Sequence, residues 1–196
     1  MTGDLSLDKW VTCCYTDKQQ VTCLGDTMEI KDLSTRFSAT TENRQKAIFS
    51  TLFIAGNRLQ TLFDAHIPEI SLKQFMLLSV VRHSPEPMTF TELGKLLGCS
   101  RQNIKKLAQV LERKGFLSIR PSPSDARALR VLPTERAGLF FQREFAQYER
   151  ELQFLFEVYT EEEISTLFGL MTRLYEGIDN LEEKTAETSL TGGMTP

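Results

Sequence analysis

The chain has 196 residues, enough for one domain or two small ones, and its 41% apolar content allows a core in which thirteen Phe outnumber a single Trp. A formal net charge of -3 conceals a division: the stretch from Cys99 to Arg130 holds eight Lys/Arg against two acids, and that from Thr134 to Glu183 holds twelve acids against four Arg. No run of eighteen apolar residues occurs and no basic region leads into an apolar one at the start, so a membrane span and a secretory leader are not expected and the cytoplasm is the expected compartment.

Residues 1–40 lack steady periodicity and read as an extension, partly disordered, with room for a short helix near 28–37. Cys13, Cys14 and Cys23 are spaced C-C-x8-C with no His nearby. That lacks the paired C-x2-C of a zinc site, so reduced thiols and no metal are expected. The first helix spans 41–66, where Ile48, Leu52, Ala55, Leu59 and Leu62 form one apolar stripe, and Pro68 follows its end. Ser71 and Gln74 form a capping box that opens a helix to about residue 83, before Pro85 and Pro87.

Thr89 and Glu92 form a second box, opening a short helix that ends at Gly98. Ser100 caps another helix from 101 to about 114, closed by Gly115. Strands are expected at 116–120 and 128–132, around a Pro/Ser-rich turn. Thr134 caps a long helix to about 159, and Thr160 with Glu163 opens the last one, whose Ile164, Leu167, Phe168, Met171, Leu174, Tyr175, Ile178 and Leu181 follow a near-heptad spacing. Residues 185–196, with Gly192 and Gly193, read as a disordered tail.

The run TELGKLLGCSRQNIKKLAQVLERK has the pattern of a helix-turn-helix. Gly94 is small where the second helix must approach closely, and Gly98 permits the tight turn. Leu93, Leu96 and Leu97 should face the core, as should Ile104, Leu107 and Leu111 of the second helix. Arg101, Gln102, Asn103, Lys105 and Lys106 are left outward. Arg suits guanine edges, Gln and Asn suit adenine, and Lys suits phosphate or guanine, while the amides following Ser100 can meet a phosphate. In the hairpin, with Ser122 and Ser124, Asp125 can orient Arg127 toward a narrow minor groove, and Arg120 and Arg130 can hold phosphates. Double-stranded DNA is therefore the expected partner.

On these residues the chain resembles the MarR family of bacterial transcription regulators over roughly residues 70–183. The resemblance is carried by SLKQFMLLSVVR, TELGKLLGCSRQNIKKLAQVLERKGFL and the wing RPSPSDARALRVLPTERAG. The Asp-x-Arg wing motif is kept in Asp125 and Arg127, whereas Ala126 replaces a frequent second Arg and Pro133 the usual Leu. The resemblance implies a mainly α fold: a winged helix-turn-helix with a small β-hairpin plus a helical dimerisation domain. It also implies a homodimer built on the first and last two helices, a pseudo-palindromic operator with half-sites about one helical turn apart, and a repressor released by a small aromatic or phenolic ligand. The expected division is an extension to 40, a dimerisation helix at 41–69, a winged domain at 70–133, dimerisation helices at 134–184 and a tail.

Phe53, Phe63, His66, Phe75, Met76, Arg82 and His83 are candidates for an effector cleft, with Arg82 or a protonated His to meet an anion. Some relatives sense peroxide through a cysteine. Here Cys99, just before the helix capped by Ser100, is the candidate, since a helix N-terminus lowers a thiol pKa. A winged-helix module that docks a protein would carry apolar residues where Arg101–Lys106 are basic and polar. Catalysis is not expected, because there is no nucleophile elbow, phosphate loop, metal motif or dinucleotide turn, and no cofactor is implied.

Overall fold

The computed structural model describes residues 21–23, 26–28, 39–122 and 128–191. In chain order the elements are β1 (Val21–Cys23), β2 (Asp26–Met28), α1 (Thr41–His66), α2 (Leu72–His83), β3 (Met88–Thr89), α3 (Phe90–Leu96), α4 (Arg101–Arg113), β4 (Leu117–Pro121), β5 (Leu129–Pro133), α5 (Glu135–Gln153) and α6 (Glu161–Thr191). Two compact units meet in the chain between Ala65 and His66. The fold is the expected one, mainly helical with a winged helix-turn-helix and a small sheet.

The first unit holds a small antiparallel hairpin, β1 with β2, in which Thr22 faces Thr27. This hairpin was not expected from the sequence; of the possible helix at 28–37, Met28 ends β2 and the rest lies outside the described residues. Of the α1 stripe, Ile48, Ala55 and Leu62 are exposed and Leu52 and Leu59 half-buried; Phe49 and Phe53, outside the stripe, are exposed too and meet edge to face at 5.0 Å.

In the second unit the helix boundaries follow their caps. Ser71 and Thr89 each accept a bond from the backbone of the residue three places on, and Gln74 and Glu92 return it. Both helix-turn-helix helices end in the same way. The Cys99 amide donates to Gly94 and the Gly98 amide to Lys95; the Phe116 amide donates to Leu111 and the Gly115 amide to Glu112. These paired bonds need a left-handed residue, which Gly98 (φ 62°) and Gly115 (φ 79°) supply. The three-stranded sheet runs β3-β5-β4, with Ile119 opposite Val131 and Thr89 opposite Arg130. β4 and β5 lie one residue later than the sequence pattern suggests, because Pro121 and Pro133 occupy strand ends where no ladder donor is required. β3 went unrecognised in the sequence because two residues carry no alternation.

Leu77, Leu78, Leu93, Ile104, Ala108, Leu111, Phe116 and Val131 form the buried core of the winged domain. Leu96 departs from the expected pattern, being 61% exposed, and Ala108 lies deeper than Leu107. Phe75 of α2 stacks on Phe145 at 4.5 Å and approaches Phe141 at 5.6 Å, which seats α2 against α5.

α5 stops at Gln153, not near 159. The amides of Phe154, Leu155 and Phe156 turn to carbonyls three residues back, a tightened end in a run of aromatic and branched residues with weak helix preference. Thr160 and Glu163 then cap α6 reciprocally. α6 continues to Thr191, through the first part of the expected tail: no Gly or Pro occurs between Gly177 and Gly192, and Thr185 and Thr188 satisfy their hydroxyls on carbonyls four residues back. Its apolar stripe, Ile164, Leu167, Phe168, Met171, Tyr175, Ile178 and Leu181, is exposed, and Leu174 is half-buried. No helix among the described residues is long and apolar enough to cross a membrane, and none of their His, Cys, Asp and Glu residues gather in threes that could hold a metal ion.

Candidate nucleic-acid interface

The interface begins at the turn between α3 and α4. Gly94 is buried, and a Cβ there would lie 2.6 Å from the Cys99 carbonyl oxygen, so the turn can close only over a glycine. Ser100 then caps α4, accepting from the Asn103 amide at 3.2 Å. With Ile104, Ala108 and Leu111 facing the core, the 3.6-residue repeat puts Arg101, Gln102, Asn103, Lys105, Lys106 and Gln109 on the exposed side. This is a cationic and amide-rich helix face without an apolar residue, the composition that reads base edges and phosphates.

The far end of α4 is fastened by side chains. Lys114 donates to the Glu69 carbonyl at 2.6 Å and to Gln74 Oε1 at 3.4 Å. The Thr134 hydroxyl donates to the Gly115 carbonyl at 2.6 Å and also reaches that of Phe116. Arg136 pairs with Glu69 and lies over the Phe116 ring, 4.8 Å from its centroid. These ties were not anticipated from the sequence, since each joins residues far apart in the chain.

The wing lies beside α4. Glu112 accepts from the Ile119 amide at 2.8 Å, which fixes the edge strand β4 to the helix. Arg120 is exposed, its Nε donating to Ser118 Oγ at 3.0 Å. Arg130 is half-buried and turned inward, donating to Ser122 Oγ and to the Pro87 carbonyl. Ser122 itself is buried, 5% exposed. Ser124, Asp125 and Arg127 fall outside the described residues.

Glu92 caps α3 from the same side. Bonds from the Thr89 amide and hydroxyl hold its carboxyl below the usual range, with a smaller contribution from the charge of Arg130. Cys99 is half-buried, its thiol donating to the Leu97 carbonyl at 3.4 Å.

Of the effector candidates, Phe63 is buried, Phe75 is taken up by the α5 aromatics, and Phe53 is exposed. Met76, Arg82, His83 and His66 are exposed, with Arg82 over the Phe141 ring at 4.4 Å and His83 Nδ1 2.8 Å from the Ser79 carbonyl. A shallow hollow of about 400 Å³ at the α5–α6 junction is lined by Gln153, Phe156, Glu157 and Ile164, none of them a candidate.

Residues 69–128 match the model of the MarR family. Among curated proteins the chain is 29% identical over 98 residues to the uncharacterized HTH-type transcriptional regulator YcgE of Bacillus subtilis, covering 50% of this chain and 62% of that protein. It is likewise 29% identical over 142 residues to the transcriptional repressor MprA of Escherichia coli, 72% of each chain. The fold matches the transcriptional regulator SlyA at a TM-score of 0.63 with 18% identity, over 70% of this chain and 98% of that one. It matches Streptococcus pneumoniae FabT, solved in complex with DNA, at 0.56 with 20% identity, over 70% and 99%. The PcaV regulator of Streptomyces coelicolor, solved with its natural ligand, matches at 0.53 with 20% identity, over 62% and 89%.

Proposed function

We propose that this chain, whose residues 69–128 match the MarR-family model, is a transcriptional regulator of that kind and acts as a homodimeric repressor released from its operator by a small aromatic ligand. The observation that carries the proposal is the exposed face of α4, where Arg101, Gln102, Asn103, Lys105 and Lys106 stand together opposite the buried Ile104, Ala108 and Leu111. That face enters a major groove, with Gln102 and Asn103 reading base edges and Arg101, Lys105 and Lys106 contacting guanine or phosphate. Arg120 holds a phosphate beside it, and Arg127, oriented by Asp125, enters the neighbouring minor groove. The DNA complex of FabT and the repressor name of MprA support this reading by likeness.

The dimer is supported by the bare stripe of α6, which a lone chain leaves in water along a 31-residue helix. A twofold partner would cover it, and two α4 faces would then meet a pseudo-palindrome. The effector proposal draws on the ligand-bound likeness PcaV and on exposed Arg82, a cation available to an aromatic acid.

The test is selection of duplexes from a randomised pool, followed by release with a panel of aromatic acids. The expected result is an enriched inverted repeat whose affinity falls with salt at a log-log slope of roughly -0.9 per phosphate neutralised. Exchanges at Gln102 or Asn103 should cost about 1–3 kcal/mol at a contacted base pair. A protein that retains no duplex at low salt refutes the proposal.

A further inference from the structure

Arg130 of β5 stands across the ladder from Arg120 of β4 and beside Thr89 of β3. Opposed residues of an antiparallel pair share a face, so two guanidinium groups begin side by side, an unfavourable arrangement unless each is drawn elsewhere. They are drawn in opposite directions. Arg120 bonds Ser118 and stays in solvent, where a phosphate can reach it. Arg130 turns into the protein, donating from Nε to Ser122 Oγ at 3.0 Å and from Nη1 to the Pro87 carbonyl at 2.7 Å. Ser122 is the one buried polar side chain among the described residues, and its amide donates to the Ala128 carbonyl at 2.7 Å. Ser122 and Ala128 are the two points from which the loop 123–127 departs.

We infer that Arg130 is the positioning residue of the wing, holding Ser122 against the Pro87 turn and thereby fixing the base of the 123–127 loop, rather than a phosphate contact. A guanidinium suits this task because its planar fork sends two N–H groups in fixed directions, toward a hydroxyl and a carbonyl on different segments. An ammonium supplies the same charge without that fork. The role rests on the DNA-binding function proposed above.

The test uses the full-length protein and a duplex that the wild type selects from a randomised pool. Kd is measured across a salt series for Arg130→Lys, Arg130→Ala, Ser122→Ala and the Arg130→Ala/Ser122→Ala double variant, with thermal melts run alongside. A lost hydrogen bond to a charged group corresponds to about tenfold in an equilibrium constant. Arg130→Lys should therefore weaken binding about as much as Arg130→Ala. Ser122→Ala, which deletes a hydroxyl shielded from DNA, should weaken it too, and the double variant should be no worse than Arg130→Ala. Near-wild-type affinity for Arg130→Lys, with Arg130→Ala flattening the salt slope, would make Arg130 a phosphate contact and overturn the inference. So would unchanged affinity in Ser122→Ala, or variants that melt earlier yet bind normally. Should Arg130→Ala fail to fold, Arg130→Lys and Ser122→Ala decide the matter by themselves. A wild type that selects no duplex removes the DNA-binding reading first, and this role with it.

Discussion

Gly94→Ala sets two opposing effects against each other at one atom. In an ordinary helix the exchange stabilises by about 1 kcal/mol, because alanine has less backbone freedom to lose. Here the new methyl would lie 2.6 Å from the Cys99 carbonyl oxygen, whereas ordinary contact begins at 3.4 Å, so the turn must open by about 0.8 Å. The obstacle is backbone, not a pliable side chain, and the same turn is tied by the Cys99 amide to the Gly94 carbonyl at 2.8 Å. Overpacking of this kind costs about 1–3 kcal/mol. The upper end applies because both sides of the contact are main chain, which leaves a net loss of about 2 kcal/mol after the propensity gain. Urea unfolding of the variant reads this directly as a lower midpoint at unchanged slope. Gly138→Ala is the control: it lies in α5 with nothing within 4 Å of the added carbon, and it should gain stability, up to about 1 kcal/mol. Because Cys99 leads directly into the Ser100 cap, Gly94→Ala should also weaken duplex binding under conditions where the protein is still folded. A Gly94→Ala protein as stabilised as the control would refute the steric argument.

Two further outcomes are expected. Glu92 has its carboxyl lowered by the Thr89 bonds, so its stabilising effect is present above the ordinary carboxylate range and fades as pH falls through and below it. Glu92→Gln should flatten that acid limb in melts taken across pH, and an unchanged limb would mean the charge of the cap is immaterial. Phe168→Asp places a charge in the exposed stripe of α6. It should convert dimer to monomer in sedimentation and abolish tight duplex binding while leaving the winged domain folded, and a variant that remains dimeric would place the interface elsewhere.

What the sequence disclosed was whatever is decided within a few residues. The caps at Ser71, Thr89, Ser100 and Thr134, and the left-handed glycines 98 and 115, are local solutions to unpaired amides and carbonyls, and all six occur where the pattern placed them. The exposure of Arg101, Gln102, Asn103, Lys105 and Lys106 around a buried Ile104 follows from helical periodicity in the same way. Short strands escaped because two or three residues carry no period, as in β1, β2 and β3. The end of α5 was placed too late because apolar content continues through Tyr159 after the hydrogen bonding has already changed. Arg130 shows the remaining limit: flanking a wing, it reads as a contact for phosphate, and only the Ser122 and Pro87 bonds show where its guanidinium is directed.

Glu69 accepts Lys114 on its carbonyl and Arg136 on its carboxylate, so the rear of α4, the segment ahead of α2 and the opening turn of α5 are pinned at one residue. Slack between α4 and its scaffold is thereby removed. In a paired assembly, the distance between the two faces would then change only by swinging each winged domain as a body, so an effector would have to act on that swing and not on the helix alone.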